Sequence, residues 1–309
     1  LVKSASARLL AAYIYCSAGE GESTQDLVFG GHNLIAENGT VLCQSKRFTP
    51  QAVYADIDVH RLLHERRRMT TFPVQGTEKY EVIPVEMEPE ETSLSRTFEP
   101  QPFVPSGQSE REERCEEILS VQSYGLKKRL EHTGCRTAVI GISGGLDSTL
   151  ALLVTARAFD LLALPREGIY AVTMPCFGTT GRTYDNACRL AKALGATLRE
   201  VDIREAVTTH FRDIGQEMEK HDVTYENGQA RERTQVLMDL ANRVGGIVIG
   251  TGDMSELALG WATYNGDHMS MYGVNAGVPK TLVRHLVQYH ADTCEQSELR
   301  EVLLDVLDT

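Results

Sequence analysis

The sequence predicts an α/β protein whose larger part is a doubly wound parallel sheet, preceded by a smaller strand-rich unit. Three observations carry that prediction. From residue 136 onward, short apolar runs alternate with helical sequence, at Thr137 to Ile142, Gly168 to Met174, Ala196 to Val201 and Gly246 to Thr251. Runs of this kind are buried in parallel sheets, and the alternation is that of βαβ units. Before residue 70 the apolar runs are instead broken by Gly and Asn turns, which points to short paired strands. Between the two parts lie Pro73, Pro84, Pro89, Pro100, Pro102 and Pro105 with an acidic run from Glu86 to Glu91, a texture that suits a linker.

In chain order, Leu1 to Tyr15 reads as a helix running into the apolar run Ala11 to Tyr15. Further runs follow at Leu27 to Phe29, Asn33 to Ala36 and Gln51 to Ala55, and Glu37-Asn38-Gly39-Thr40 supplies an Asn-Gly hairpin turn. Val59 to Met69 gives a basic helix. We place a first unit at residues 1–72, a linker at 73–108 and a second unit at 109–309, with a fresh helix near Ser109. In the second unit a helix over Ser148 to Ala158 follows the first strand, another starts around Tyr225, and Glu301 to Leu307 is still helical in pattern. No internal repeat is visible. A chain that opens on Leu1 inside a helical pattern and stops at Thr309 is expected to be a piece of a longer protein.

Composition narrows the class. With 309 residues and 42% hydrophobic content, the chain can bury one large core and part of a second. A net charge of −12 argues against a nucleic-acid surface, which needs a basic field. An anionic nucleotide would then have to be met by local backbone amides and a few cations. No apolar stretch approaches ~20 residues and no signal peptide is visible, so no membrane partner is expected. The seven cysteines form no CxxC pair, which fits reduced thiols in a cytoplasmic setting. Cys16 ends an apolar run and is expected in the core.

The most informative segment is Gly141-Ile142-Ser143-Gly144-Gly145-Leu146-Asp147-Ser148-Thr149, between a strand and a helix. A glycine pair at such a turn lets the backbone approach an anion, and the helix N-terminus offers unpaired N–H groups. The Gly-Lys-Ser/Thr of the Walker loop is absent, and the glycines do not fall into GxGxxG. A carboxylate, Asp147, stands where the Walker lysine would be and can hold a cation against a polyphosphate. A plainer reading has Ser143 and Asp147 merely capping the helix. Cys176, in Met174 to Arg182, lacks the partner cysteine that sulfur transfer would need.

The string Gly141 to Ser148 resembles the SGGxDS signature of the ATP pyrophosphatases, enzymes that cleave ATP between the α and β phosphates. GMP, asparagine and argininosuccinate synthetases and tRNA-thiolating enzymes share that loop. Three later segments narrow the resemblance: Tyr225 to Arg233, Gly250 to Tyr264 and Asn275 to Thr281. They are similar, in order, to the YENxQAR, GTGDxSELALGWxTY and NAGVPKT motifs of the glutamine-dependent NAD+ synthetases. Ser17 to Thr24 and His32 to Gly39 are similar to the last part of that family's nitrilase-like glutaminase domain.

The resemblance implies an adenine nucleotide alpha hydrolase-like, Rossmann-like domain behind part of an α/β nitrilase-like sandwich. It implies ATP-dependent amidation of deamido-NAD+ to NAD+ through an adenylated intermediate, with AMP and pyrophosphate released. Glutamine would supply the ammonia, Mg2+ would be the metal, and a homo-oligomer is expected. Carried over residue by residue, Gly141, Ile142, Ser143, Gly144, Gly145, Leu146, Asp147, Ser148, Thr251 and Lys280 fall to ATP. Asn227, Arg231, Glu256, Trp261, Ala262, Thr263 and Tyr264 fall to deamido-NAD+. Asp147 and Glu256 would be the metal carboxylates, and Asp147, Ser148 and Lys280 the catalytic set. The strand end at Met174 would touch adenine, and the Gly-rich part of 174–182 would form a lid. The family's Glu-Lys-Cys glutaminase set lies upstream of the segment that here is Ser4 to Arg8, so this stretch of chain is not expected to hydrolyse glutamine. A C-terminal segment that in the family helps close the nucleotide sites would lie beyond Thr309. The alternatives are a GMP synthetase-like enzyme and a non-catalytic nucleotide-binding module.

Overall fold

The computed structural model describes every residue except 20, 23–27, 50, 72–80, 82, 87, 89, 92, 99, 106 and 178–180. The chain forms two compact units, Leu1–Pro100 and Gln101–Thr309.

In the first unit, helix α1 (Val2–Leu9) leads into strands β1 (Ala12–Tyr15), β2 (Leu34–Glu37) and β3 (Thr40–Gln44), and α2 (Val59–Arg68) follows. The strands form an antiparallel sheet in the order β1-β2-β3. Glu37 pairs with Thr40 across the expected hairpin, with Asn38 at φ 43 and Gly39 at φ 83. Two positive φ values match the twist of the flanking strands, which is why Asn-Gly is favoured there. That turn also explains a correction. Gln51 to Ala55 form no strand, because the hairpin delivers Thr40–Gln44 to the free edge of β2 first. The neighbouring chain is tied down by side chains instead: Asn33 Nδ2 donates to the Gln51 carbonyl at 3.1 Å. Leu27 lies outside the described residues, and Val28 and Phe29 are not in a strand. Cys16, expected in the core, is exposed, as are Ile14 and Tyr15 beside it. Among the described residues of this unit the buried charge is Glu37, which accepts from both terminal guanidinium nitrogens of Arg96 at 3.1 and 3.2 Å and from the Asp58 amide at 2.7 Å.

In the second unit, α3 (Gln108–Thr133) precedes β4 (Ala138–Gly141), α4 (Leu146–Leu161), β5 (Ile169–Thr173), α5 (Gly181–Ala193) and β6 (Thr197–Glu200). Then come α6 (Arg204–Ile214), α7 (Val223–Val244), β7 (Ile247–Gly250), α8 (Met254–Leu259), β8 (Tyr272–Gly273), α9 (Lys280–Thr293) and α10 (Ser297–Leu307). The sheet order is β6-β5-β4-β7-β8 and every pairing is parallel.

Side-chain alternation divides this sheet between two cores. Ala138, Ile140, Ile169, Ala171, Ile247 and Ile249 face one, with α3, α4, α5, α9 and α10. Val139, Val172 and Val248 face the other, with α6 and α7. The middle of helix α4 is apolar around its whole circumference, with Leu150 to Val154 each 2% exposed or less, so that stretch is buried on every side. The sheet is doubly wound, and its strand order reverses between β4 and β7. Ligands bind at the carboxyl ends of strands at such a switch point. The loops leaving β4 and β7 are therefore the ones to inspect.

Candidate active site

The chain leaves β4 through Ile142, whose amide still bonds the Val172 carbonyl at 2.8 Å. Gly144 then takes φ 79, and a Cβ there would stand 1.9 Å from the Thr183 carbonyl oxygen. Both the backbone region and the close approach of α5 demand glycine. Gly145 is the N-cap of α4, and no side chain among the described residues caps that helix. The two serines brace the turn instead. The Ser148 hydroxyl accepts from the Ser143 amide at 3.2 Å and donates to the Gly145 carbonyl at 3.1 Å, while the Ser143 hydroxyl accepts from the Gly145 amide at 3.3 Å. A braced turn with an uncapped helix N-terminus suits an anion that can approach the backbone.

Asp147, in the first turn of α4, meets Asp253 from the loop after β7 and Glu256 from the first turn of α8. Carboxylate oxygens of Asp147, Asp253 and Glu256 all lie within 4.8 Å of one another. Asp253 was not singled out in the sequence, yet it is fully buried. Its Oδ1 accepts from the amides of Ser255 at 2.7 Å and Glu256 at 3.0 Å, and Glu256 Oε2 accepts from the Asp253 amide at 3.3 Å. This is the capping box of α8, legible as Asp followed three residues on by Glu. Lys280, the first residue of α9, donates to Asp147 and lies 3.3 Å from Asp253 Oδ2. Burial pushes the Glu256 carboxyl above its ordinary value, and the charges of Asp147 and Asp253 add to that shift. Burial works against the Lys280 ammonium, but its hydrogen bonds to the two aspartates prevail and its pKa lies above the ordinary lysine value.

This donor set fits a hard divalent cation. Mg2+ takes oxygen ligands; Asp147 Oδ1 is buried without a hydrogen bond from any described residue, and the buried Asp253 Oδ2 has the Lys280 ammonium beside it at 3.3 Å. Unsatisfied buried carboxylate oxygens are costly unless something cationic meets them.

Asn275, also unassigned in the sequence, holds the two loops together. Its Nδ2 donates to the carbonyls of Asp147 at 2.9 Å and Thr251 at 3.0 Å, and its Oδ1 accepts from Gln122 at 3.1 Å. Thr251 thus stands beside the start of α4 across the switch point. At Gly250 a Cβ would come within 2.3 Å of the Ser270 hydroxyl oxygen.

The remaining site residues form a neighbouring group on α7 and the chain after α8. Helix α7 begins earlier than the sequence suggested, at Val223, because Asp222 caps it by accepting from Thr224 and Tyr225. Asn227 accepts from the Thr263 hydroxyl at 2.8 Å, and Arg231 Nε donates to the Tyr264 carbonyl at 3.1 Å. The Trp261 amide bonds the Glu256 carbonyl at 2.9 Å, which links this group to the acidic cluster. Ala262 is exposed, and the rings of Trp261 and Tyr264 are 79% and 75% exposed, open to a flat partner. The segment expected as a lid includes 178–180, which lie outside the described residues. Cys176 is buried, and burial pushes its thiol pKa up, as suits an inert thiol.

Comparison with known proteins agrees with this geometry. The family model for NAD synthase matches residues 118–296. A glutamine-dependent NAD(+) synthetase of Mycobacterium leprae is 46% identical over 326 aligned residues, covering 100% of this chain and 48% of that protein. One from Thermotoga maritima is 31% identical, covering 90% of this chain and 46% of that protein. The chain therefore spans about half the length of the curated relatives it matches. Among solved structures, a glutamine-dependent NAD+ synthetase from Acinetobacter baumannii in complex with ADP superposes with a TM-score of 0.56 at 24% identity, covering 97% of this chain and 49% of that one. An NH3-dependent NAD synthetase from Campylobacter jejuni gives 0.52 at 23% identity, covering 60% and 76%. These two likenesses bear on the fold. With the family model covering more than half of its length and the sheet, switch point and glycine turn in place, the chain belongs to the NAD synthase family.

Proposed function

We propose that the second unit amidates deamido-NAD+ at the expense of ATP. The nicotinate carboxylate attacks the α-phosphorus of ATP, and the bond to the β-phosphate oxygen breaks, releasing pyrophosphate. Ammonia then adds to the acyl carbonyl and AMP leaves, so that the amide of NAD+ remains and the nitrogen sheds one proton to solvent. The observation that carries this reading is the uncapped glycine turn beside Lys280 and the Asp147–Asp253–Glu256 cluster at the switch point.

In this reading Gly141 to Ser148 and Thr251 cradle the phosphates, and Lys280 screens their charge. No covalent intermediate with the protein is needed, so positioning and charge neutralisation supply the rate. Asp147 and Glu256, with Asp253, would hold Mg2+, which supplies charge neutralisation on the polyphosphate when bound. Asn227, Arg231 and Glu256 with the 261–264 segment would hold deamido-NAD+. Trp261 offers a face for the pyridine ring, and Arg231 retains guanidinium N–H donors for phosphate or carboxylate. In the complete protein we assign the nitrogen source to glutamine, residues 1–72 to the C-terminal part of a nitrilase-like glutaminase domain, 73–108 to a linker and the assembly to a homo-oligomer. Seven cysteines outside any disulfide suit a cytoplasmic setting. Among the described residues no helix is long and apolar enough to cross a membrane.

Pyrophosphate release with Mg-ATP and an ammonium salt tests the proposal. Deamido-NAD+ should trigger release and xanthosine monophosphate should not; the reverse result would favour the GMP synthetase-like alternative. Asp147→Asn should cut the rate by two or more orders of magnitude, in the range seen when an electrostatic partner of the transition state is lost. Release that survives Asp147→Asn unchanged would remove the site from the reaction.

A further inference from the structure

Lys280 makes a contact that screening a phosphate does not require. Its ammonium points into the acidic cluster, donating to Asp147 Oδ2 and standing 3.3 Å from Asp253 Oδ2. The Asp253 side chain is wholly buried, and its Oδ1 is already used to cap α8. Its Oδ2 faces the cluster with the Lys280 ammonium beside it, and the buried Asp147 Oδ1 accepts no hydrogen bond from a described residue. Carboxylates this close repel strongly where water is scarce, by an amount that falls as the effective dielectric rises. The cluster therefore requires a cation whether or not a ligand is bound, and among the described residues Lys280 supplies it.

We infer that Lys280 is the resident counter-ion of this site, and that a divalent cation enters the Asp147–Asp253–Glu256 cluster only in exchange for the ammonium, which transfers to the incoming polyphosphate. This rests on the reading of the site as one for Mg-ATP and adds a coupling to it. The cation alone meets a positive charge already in place and binds weakly. A polyphosphate alone must draw Lys280 away from two aspartates and leave them unneutralised. Bound together, the two ligands satisfy every charge, so each strengthens the other by the same factor. A nucleotide without its cation is thereby kept from loading productively.

Mn2+ is a suitable probe, because the free ion is counted directly by electron paramagnetic resonance. Titrations of the full chain would be made with and without α,β-methylene-ATP. Lys280 is half exposed at a helix start, and Lys280→Gln should melt like the parent. Without nucleotide, Lys280→Gln should bind Mn2+ about tenfold or more tighter than the parent, since one positive charge next to the site is removed. Lys280→Arg, which keeps the charge, should stay weak. Adding Asp253→Asn to Lys280→Gln should remove most of the gain, while the Asn oxygen keeps the α8 cap. A natively melting Lys280→Gln that binds Mn2+ no tighter than the parent would overturn the exchange, as would Lys280→Arg matching Lys280→Gln. The two readings fail separately. If the parent binds Mn2+ and nucleotide together but the variants leave Mn2+ affinity unchanged, only the exchange falls. If the parent binds no nucleotide with Mn2+ present, the proposed function falls with it.

Discussion

Replacing Asn275 by Ala would test whether the two loops of the switch point are held by one side chain. Asn275 is wholly buried. It donates to the carbonyls of Asp147 and Thr251 and accepts from Gln122. The Asp147 carbonyl lies in the first turn of α4 and Gln122 also donates to the Val274 carbonyl, so neither is wholly orphaned. The Thr251 carbonyl loses the one partner described for it. Three hydrogen bonds at ~1 kcal/mol each, plus truncation of a buried side chain, give a destabilisation of about 3–4 kcal/mol. Urea unfolding monitored by circular dichroism would measure it, with an unchanged m-value as the sign that only stability moved. Because β7 and α4 would lose their register at the site, ADP should also bind about tenfold or more weakly, a cost near 1.4 kcal/mol. Asn275→Asp should be worse than Ala, since it turns carboxylate oxygens toward two carbonyl oxygens. An Ala variant within about 0.5 kcal/mol of the parent, with ADP affinity unchanged, would refute the bridging role.

Gly144→Ala should weaken nucleotide binding far more than it lowers the melting temperature of the rest of the unit, because φ 79 and a Cβ 1.9 Å from the Thr183 carbonyl force the turn itself to move; calorimetric titration with ATP would show it. In the first unit, Arg96→Met should destabilise by about 3–5 kcal/mol, leaving the Glu37 carboxylate buried and uncompensated, and chemical unfolding of the chain would register the loss. The pair of Glu116 and Arg157 sets a pH dependence. The hydrogen bond from Arg157 holds the Glu116 carboxyl below its ordinary value, so the stabilisation is present above that ordinary value and is lost as pH falls through the lowered one. The stability gap between the parent and Arg157→Met, read from melting temperatures across acid pH, should therefore narrow as pH is lowered; a gap that stays constant or widens would contradict the assignment.

Much of the second unit was legible in the sequence because its signals are local. Apolar runs of parallel-strand type marked β4, β5, β6 and β7, and the Gly141 to Ser148 string located the turn between β4 and α4. The two-residue β8 carries no period that could be read. In the first unit Gln51 to Ala55 looked as strand-like as Asn33 to Ala36. What separated them was the competition for an edge of β2, and a tight Asn-Gly turn settles that in favour of the nearer segment. The exposure of Cys16 was likewise hidden, since an apolar run does not say which of its faces is covered. At the site, many residues of the recognisable strings were given a role, whereas Asp253 and Asn275, which lie in the same strings, were not. Their importance comes from burial and from bonds reaching up to 153 positions along the chain, which no spacing encodes. Asp253 did leave one signal in the capping box with Glu256, but such a box usually marks only a helix start.

The central claim is that the glycine turn with its acidic residue holds ATP for attack by a carboxylate at the α-phosphorus. The most direct test uses deamido-NAD+ labelled with 18O in its nicotinate carboxylate, incubated with the chain, Mg-ATP and an ammonium salt. One carboxylate oxygen bridges to phosphorus in the first step and leaves with AMP in the second. The account predicts 18O in the AMP, detected by mass spectrometry, with NAD+ retaining the other. NAD+ formed while AMP carries no label, or label appearing in inorganic phosphate with ADP as the co-product, would contradict it.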